Sequence, residues 1–310
     1  MATVLKAKNA RSKRALEKRE PKVIENPKTV MLVRGSKTSN IVQQALRDLC
    51  ALKKPYSISL SKRNELFPFE NETPLEFLSL KNDASLFVFG SHSKKRPHSL
   101  VFGRIFDHKL FDMFEFHVSH FQSLLELKGQ VCASGTKPLL VFSGMSFNQD
   151  ATFSKLKNLF LDFFNLDNAS SVCLSGLQHV ISFTVFDSPP SQPSDSASST
   201  DPSISTSDSP QLSLYIRSYF INLEKSGHKE PYVSISPMGP DFNLLLKRYR
   251  LPSDDIWKSA TRIPKELYFS KTKNVSSDPV GNKLGRVHVG IQNIDKIQTR
   301  KVKALKKPRV

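Results

Sequence analysis

The sequence is poor in cysteine and tryptophan and lacks long hydrophobic runs. Its three cysteines, Cys50, Cys132 and Cys173, lie far apart and form neither a disulfide framework nor a CxxC zinc pattern, which favours a reducing intracellular compartment. No segment approaches the roughly 18 consecutive apolar residues of a membrane-spanning helix. Residues 1–14 lack the apolar core of a secretory signal, so we expect neither secretion nor a membrane partner.

Motifs for nucleotide binding and catalysis are also missing. Neither GxGxxG nor the phosphate loop GxxxxGK followed by Ser or Thr occurs, and residues 143–146 do not form a GxSxG elbow. His117 and His120 are too few for a metal site without further ligands. Asp254 and Asp255 are better explained as helix-capping residues than as a catalytic carboxylate pair. We therefore predict a protein that is not an enzyme and holds no cofactor or metal.

Known RNA-reading modules are absent by motif as well. We find no RNP-type aromatic string, no KH loop and no zinc finger. The 22 phenylalanines fall mostly on apolar faces, so core packing is their expected role. A chain of 310 residues has room for about two domains, or for one larger domain that is internally doubled.

Basic residues outnumber acidic ones by 46 to 28, which gives a net charge of +18. Residues 1–28 contribute +6, residues 258–310 contribute +11, and residues 29–257 only +1. We therefore divide the chain into a basic N-terminal arm at 1–28, a central domain at 29–257 and a basic C-terminal tail at 258–310. Two basic ends around a neutral body favour a nucleic acid partner, and they also suit nuclear localisation signals.

The candidate RNA-binding residues are lysines and arginines in three segments. The tail supplies Lys271, Lys273, Lys283, Arg286, Arg300, Lys301, Lys303, Lys306 and Lys307, the arm supplies Lys8, Arg11, Lys13 and Arg14, and a predicted hairpin tip supplies Lys94, Lys95 and Arg96. A solvated loop explains the tip equally well. Membrane binding by the arm is disfavoured because residues 8–20 offer only two alanines and one leucine as an apolar face.

Hydrophobic periodicity predicts an α/β fold in which one unit occurs twice. A strand over Thr29–Val33, a turn at Gly35 and a helix that ends before Pro55 form the first copy. A strand over Pro138–Phe142, a turn at Gly144 and a helix capped by Asp150 form the second. The apolar face of this second helix consists of Phe153, Leu156, Leu159, Phe160, Phe163 and Phe164. We infer two similar halves, at about 29–135 and 136–257.

The rest of each half is predicted to be mainly β-strand. In the first half, residues 84–89 and 99–106 form the hairpin with the basic tip, and residues 110–118 form a strand or the start of a helix. In the second half, strands are predicted at 176–186, 212–223, 232–236 and 242–249, followed by a helix from Ser253. Residues 187–210 contain ten Ser, five Pro and four Asp, so we expect a disordered insertion at a hairpin tip.

Several segments resemble the Brix-domain family of ribosome-assembly proteins. The resemblance is carried by Leu52-Lys53-Lys54-Pro55, Phe67-Pro68-Phe69-Glu70, residues 90–97 (GSHSKKRP), residues 176–180 (GLQHV) and Gly239-Pro240-Asp241-Phe242. The arm residues 8–14 with 19–22, and the tail residues 281–288 with 298–301, resemble one branch of the family. The resemblance implies two similar α/β halves, each resembling the anticodon-binding domain of class II tRNA synthetases, with basic N- and C-terminal extensions.

The resemblance further implies a non-enzymatic role in the nucleolus. The protein would pair, as a heterodimer, with the regulator of ribosome synthesis one. Together they would recruit 5S rRNA and its two ribosomal proteins into the large-subunit precursor and support late processing of the large-subunit pre-rRNA. Three other hypotheses stay open: a sibling of the same family that acts on other pre-rRNA, a protein-only scaffold whose basic ends serve import, and an RNA-modifying or RNA-cleaving enzyme.

Overall fold

The computed structural model describes residues 7–19, 23, 26–127, 129–166, 173, 176–187, 212–227, 229–267, 272–280, 282–291 and 293. It divides into two compact units, Met1–Arg262 and Ile263–Val310. Within the described residues, no helix has the length and apolar character needed to cross a membrane. The predicted disordered insertion lies outside the described residues, apart from its first residue, Asp187.

In the first unit, helices and strands alternate and then give way to a run of strands. The elements up to the middle of the chain are α1 (Ala10–Arg19), β1 (Val30–Gly35), α2 (Asn40–Lys53), β2 (Ser57–Asn64), α3 (Thr73–Asn82), β3 (Leu86–Ser91), β4 (Ser99–Phe106) and β5 (Lys109–Gln122). They are followed by β6 (Leu139–Ser143), α4 (Ser146–Gln149), α5 (Ala151–Phe164), β7 (His179–Asp187), β8 (Leu212–Glu224), β9 (Tyr232–Pro237), β10 (Asp241–Arg250) and α6 (Asp254–Thr261).

The ten strands form one mixed sheet in the order β2-β1-β3-β4-β5-β10-β8-β7-β6, with β9 paired to the far end of β8. β1 runs parallel to both β2 and β3, and β3, β4 and β5 pair antiparallel. On the other side of the central β5–β10 pair, β6 runs parallel to β7, while β7, β8 and β10 pair antiparallel. On both sides of the sheet centre, parallel pairing of the outer strands changes to antiparallel pairing toward the centre, with two parallel pairs on the first side and one on the second.

Both long helices pack on one face of this sheet. Alternate strand residues, such as Val30 and Leu32 of β1 and Ile181 and Phe183 of β7, join the buried faces of α2 and α5 in a single core cluster. All six residues of the predicted α5 apolar face are buried, which confirms that interpretation. Phe160 of α5 stacks on Phe183 with ring centroids 5.1 Å apart, so the phenylalanines pack the core as expected.

The opposite face of the sheet is covered only in the first half, within the residues described. Met31 and Val33 of β1 and Phe87 of β3 point to this side and form a second core cluster with Leu75 of α3. In the second half, Val141 of β6 is 40% exposed and Phe186 of β7 is 56% exposed on the same face. The two halves therefore share the change from parallel to antiparallel pairing but differ in this helical cover.

A buried polar network connects the two halves on the helix-covered side of the molecule. The guanidinium of Arg104 on β4 donates to both carboxylate oxygens of Asp112 on β5, at 3.0 and 3.1 Å from Nε. It also reaches Asn158 and Asp162 of α5, the latter at 2.7 Å. Asp112 is fully buried. A charge removed from water in this way is stable only while its partner remains in place.

Most predicted elements are confirmed, and the differences have local causes. Residues 110–118, left open between strand and helix, belong to strand β5. Gly35 is the last residue of β1 rather than a turn. Gly144 does form a turn, with φ +125°, and a Cβ added there would lie 3.0 Å from the carbonyl oxygen of Val185. The prediction had no elements over 55–82, where β2 and α3 lie. The sequence of β2 is largely polar, and α3 leaves Phe77 exposed, so neither shows a clear apolar face.

The second unit contains a small antiparallel hairpin. β11 (Val275–Ser277) pairs with β12 (Lys283–Gly285), and a short 3-10 turn at Lys265–Leu267 precedes them. The N–H of Arg286 donates to the carbonyl of Asn274 at 2.8 Å, which closes the open end of the hairpin. All three residues of β12 are exposed. Order in this part of the tail was not predicted from its composition.

Candidate nucleic-acid interface

The connection between β3 and β4 forms the basic tip that the sequence predicted. The backbone groups of Ser93 and Arg96 exchange hydrogen bonds at 3.0 and 3.2 Å, which makes a tight two-residue turn. Lys94 and Lys95 occupy this turn and are exposed. A turn of this kind fixes the backbone, so both lysine side chains project into solvent from a defined part of the fold.

Arg96 differs from its two neighbours in having an acidic partner. Its guanidinium lies 3.5 Å from a carboxylate oxygen of Glu115, which is itself buried. Glu115 also accepts from Ser99 at 2.7 Å and pairs with Arg248. Arg96 therefore links the tip to β5, whereas Lys94 and Lys95 stay the tip's candidate phosphate ligands. Within the described residues, neither of these two lysines forms an ion pair with an acidic side chain.

Three further cations that the sequence analysis did not single out lie beside the tip. Arg34 is the last residue but one of β1, Lys37 precedes α2, and Arg63 is the last residue but one of β2. Together with Lys94 they line a recess of about 380 Å³. Their positions in the chain are far apart, and only the parallel pairing of β2, β1 and β3 brings them together. The available signal was Arg34, just after the first predicted strand; Arg63 gave none, because β2 was not predicted.

Three histidines tie the tip to the start of α2. The ring of His98 lies 4.8 Å from that of His92 and 6.4 Å from that of His117. Its Nδ1 lies 2.8 Å from the hydroxyl of Ser39, the N-cap of α2, and its backbone N–H donates to Nδ1 of His92. Burial, with smaller contributions from His92 and His117, lowers the pKa of His98. His98 is therefore held in its neutral form near pH 7 and acts as a structural link.

The N-terminal arm contains a helix with exposed basic residues. The side chain of Asn9 accepts from the N–H of Ser12 at 2.8 Å, and the hydroxyl of Ser12 accepts from the N–H of Asn9 at 3.0 Å, which caps α1. The four predicted arm residues, Lys8, Arg11, Lys13 and Arg14, are all exposed. Lys13 lies 4.0 Å from Glu17, one turn along. Such an exposed pair contributes little to stability, so the charge remains available to a ligand.

The tail residues are only partly within the described range. Lys273, Lys283 and Arg286 belong to or flank the small hairpin of the second unit and are exposed. Lys271, Arg300, Lys301, Lys303, Lys306 and Lys307 lie outside the described residues. The proposed role of all the tail residues stays a prediction.

The described part of the chain assembles no cluster of metal-binding side chains. Groups of three or more His, Cys, Asp or Glu that could hold a metal ion are absent there. His117 and His120 lie on β5, and a bulge in the pairing with β10 falls between them. Nδ1 of His117 donates instead to the carbonyl of Pro97 at 2.8 Å.

Comparison with known proteins identifies the family of the chain. The family model for the Brix domain matches residues 35–248, which is more than half of the chain. The chain therefore belongs to the Brix domain family. Within that family it is 43% identical to the ribosome production factor 2 homolog of Mus musculus over 283 residues, covering 91% of this chain and 85% of the mouse protein.

Two more distant relatives are similar over almost the whole chain. The ribosome production factor 2 homolog of Drosophila melanogaster is 38% identical, covering 98% of this chain and 88% of its own length. The ribosome biogenesis protein RPF2 of Saccharomyces cerevisiae is 37% identical, covering 99% and 86%. Among solved structures, a probable ribosomal biogenesis protein from Aeropyrum pernix aligns with 73% of this chain at a TM-score of 0.39 and 9% identity, a likeness too distant to bear on function.

Proposed function

We propose that this protein is a non-enzymatic assembly factor of the large ribosomal subunit that acts in the nucleolus. It helps to recruit 5S rRNA and its two ribosomal proteins into the precursor particle and supports late processing of the large-subunit pre-rRNA. Membership in the Brix domain family and similarity to ribosome production factor 2 homologues over nearly the whole chain support a role in ribosome biogenesis. The recruitment step and the nucleolar location are the finer parts of the proposal.

The single observation that carries RNA binding is the exposure of basic side chains in three separate segments. Lys94 and Lys95 at the hairpin tip, the four basic residues of the arm, and the described basic residues of the tail are all exposed. A protein that neutralises several phosphates releases the counterions bound to them, and this supplies affinity without reading sequence. The three segments therefore contact phosphates, and base pairing within the RNA determines the shape that is recognised.

The repeated strand pairings support the expected likeness of each half to the anticodon-binding domain of class II tRNA synthetases. Each half contributes a parallel strand pair followed by antiparallel strands to one side of the central β5–β10 pair. We place the domain boundary near residue 257 or slightly after it, because α6 extends to Thr261. Trp257 stacks on Phe111 of β5 with ring centroids 5.6 Å apart, which attaches α6 to the sheet.

The heterodimer partner, the regulator of ribosome synthesis one, is proposed to bind the uncovered sheet face of the second half. In the first half this face is covered by α3. In the second half it presents apolar side chains from four strands, namely Leu139, Val141, Phe186, Tyr215, Ile221, Leu223, Val233 and Ile235. Ile235 is 60% exposed and Val233 is 50% exposed. An apolar sheet face of this extent is typical of a protein interface.

Substitution on that face tests the partner proposal. We expect a Val233→Asp, Ile235→Asp double variant to lose co-purification of the partner, because it places two charges on the surface that the partner would bury. Phe77→Asp is the matched control, since Phe77 is 56% exposed on α3 of the first half. Unchanged partner recovery with the double variant, or equal loss with the control, would contradict this assignment.

Crosslinking in cells followed by sequencing of the bound RNA tests the RNA function. Full-length protein is compared with a truncation after Arg262, which keeps α6 and removes the second unit. We expect crosslinks on 5S rRNA and on its docking region in the large subunit, and we expect the truncation to weaken them. Crosslinks confined to small-subunit precursors would indicate a sibling role. The absence of specific RNA, with partners still co-purifying, would indicate a protein-only scaffold.

A further inference from the structure

The recess beside the hairpin tip is formed by the ends of three strands and the start of one helix. We propose that it is a specific binding site for phosphate groups of the RNA backbone, an inference that rests on the proposed RNA-binding function and gives that function a site in the folded domain. The binding residues are Arg34, Lys37, Arg63 and Lys94. The site is separate from the basic residues of the arm and tail.

The charge around the recess is of one sign. Its eight lining residues comprise four cations, three hydroxyl-bearing residues and His92, and no acidic residue is among them. Among the residues that the structure describes, none of the four cations forms an ion pair with an acidic side chain. Four neighbouring positive charges repel one another, so their grouping favours an anionic ligand that relieves this repulsion.

The position of the recess in the fold is the one at which α/β sheets bind ligands. β2, β1 and β3 are parallel, and all three end at the recess. Arg34 and Arg63 are neighbours in the register of β1 and β2, just after a bulge that interrupts the pairing. The start of α2, a helix of 14 residues, faces the same side, and its first backbone N–H groups favour a negative charge.

Hydrogen bonds hold the wall of the recess in place. Nε of Arg34 donates to the hydroxyl oxygen of Thr38 at 2.9 Å, and the side-chain amide of Gln43 donates to the same oxygen at 3.3 Å. Because this oxygen accepts twice, the hydroxyl proton of Thr38 is free to be donated to a phosphate oxygen. The N–H of His92 donates to the carbonyl of Lys37 at 2.8 Å, which joins the loop before α2 to the hairpin tip. Arg34 and Thr38 are therefore held in place before a ligand binds, which reduces the cost of binding.

The opposite edge of the same strands has a different character. A larger cavity of about 720 Å³ lies at the start of β1 and β3, and its lining combines Asp83, Asp107 and Asp162 with the cations Lys28 and Arg104. The charges at the amino ends of these strands are therefore of both signs, whereas those of the recess at the carboxyl ends are all positive. This asymmetry identifies the recess, rather than the sheet as a whole, as the phosphate site.

The test compares two double variants of the full-length protein that change the net charge equally. Lys37→Gln with Arg63→Gln removes two cations of the recess, and Arg47→Gln with Lys109→Gln removes two exposed cations elsewhere. Binding of 5S rRNA is measured across a series of salt concentrations. Each lost phosphate contact lowers the slope of log affinity against log salt by about 0.7 to 0.9. We expect the recess variant to lower the slope by about 1.4 to 1.8 and the control to leave it unchanged.

The possible outcomes separate this proposal from the proposed function. Tight RNA binding with an unchanged slope in the recess variant would overturn the site and leave RNA binding to the arm and tail. An equal decrease in both variants would also overturn it, since the effect would then be one of general charge. Failure of the unaltered protein to bind RNA would overturn both proposals. Only a decrease confined to the recess variant supports the phosphate site.

Discussion

Removal of the buried guanidinium of Arg104 should destabilise the protein strongly. Arg104→Met keeps the length and much of the volume of the side chain but leaves the fully buried Asp112 without its partner. Loss of one partner of a buried ion pair costs about 3–5 kcal/mol. Arg104 also bonds Asn158 and Asp162. We therefore expect the substitution to lower the free energy of unfolding by about 3–5 kcal/mol, as measured by urea denaturation at pH 7.5.

The pH dependence provides an independent check on the same substitution. Burial already raises the pKa of Asp112, and the hydrogen bonds and charge of Arg104 oppose that increase. Without Arg104 the folded state should hold the proton on Asp112 to a higher pH than the unfolded state does. Stability then falls as pH rises, so the variant should be closer to the unaltered protein at pH 5 than at pH 8.

A double variant and a surface control complete this experiment. Arg104→Met with Asp112→Leu removes both charges, and replacement of a buried pair by apolar groups is often neutral, so we expect most of the lost stability to return. Arg47→Met, at an exposed position on α2, should change the free energy of unfolding by less than about 0.5 kcal/mol. A cost below about 1 kcal/mol for Arg104→Met, or a double variant as unstable as the single one, would refute the reasoning.

Three further predictions concern a buried histidine, a tightly packed glycine and the hairpin tip. Burial lowers the pKa of His179 to about 4, so as pH falls the unfolded state takes up a proton on this residue before the folded state does. Between pH 7.5 and 5.5 we therefore expect the free energy of unfolding to decrease by about 1.4 kcal/mol. Denaturation curves of His179→Asn should lack this decrease. A Cβ on Gly103 would lie 2.4 Å from the ring of Phe87 and 2.6 Å from a backbone carbonyl, so Gly103→Ala should cost about 1–3 kcal/mol, and a thermal shift near zero would contradict it. Lys94→Gln with Lys95→Gln should lower the salt slope of RNA binding by at most about 1.8, and an unchanged slope would leave the tip without a phosphate role.

The parts of the fold that sequence predicted best were those with strong local patterns. The α5 face has six apolar residues at helical spacing, and a helix with such a face is buried wherever a sheet is available to it. The β3–β4 hairpin was visible because two apolar runs flank a polar, basic turn. Both features depend on residues close together in the chain, so no tertiary information was needed.

The features that sequence missed depend on long-range pairing. Arg34 and Arg63 are 29 positions apart and become neighbours only through the parallel register of β1 and β2. The uncovered face of the second half cannot be predicted from sequence either. Val141 and Phe186 have the pattern of ordinary strand residues, and only the structure shows that α3 covers the matching face of the first half and not theirs. Local pattern does not encode which faces are left without a partner.

Purification of large-subunit precursors from cells depleted of this protein would test its central proposed role most directly. The quantity to measure is the amount of 5S rRNA, and of its two ribosomal proteins, per precursor particle. Recruitment by this protein predicts that all three are lost together from the precursor, and that full-length protein restores them. Precursors with a normal content of 5S rRNA after complete depletion would contradict the proposed role.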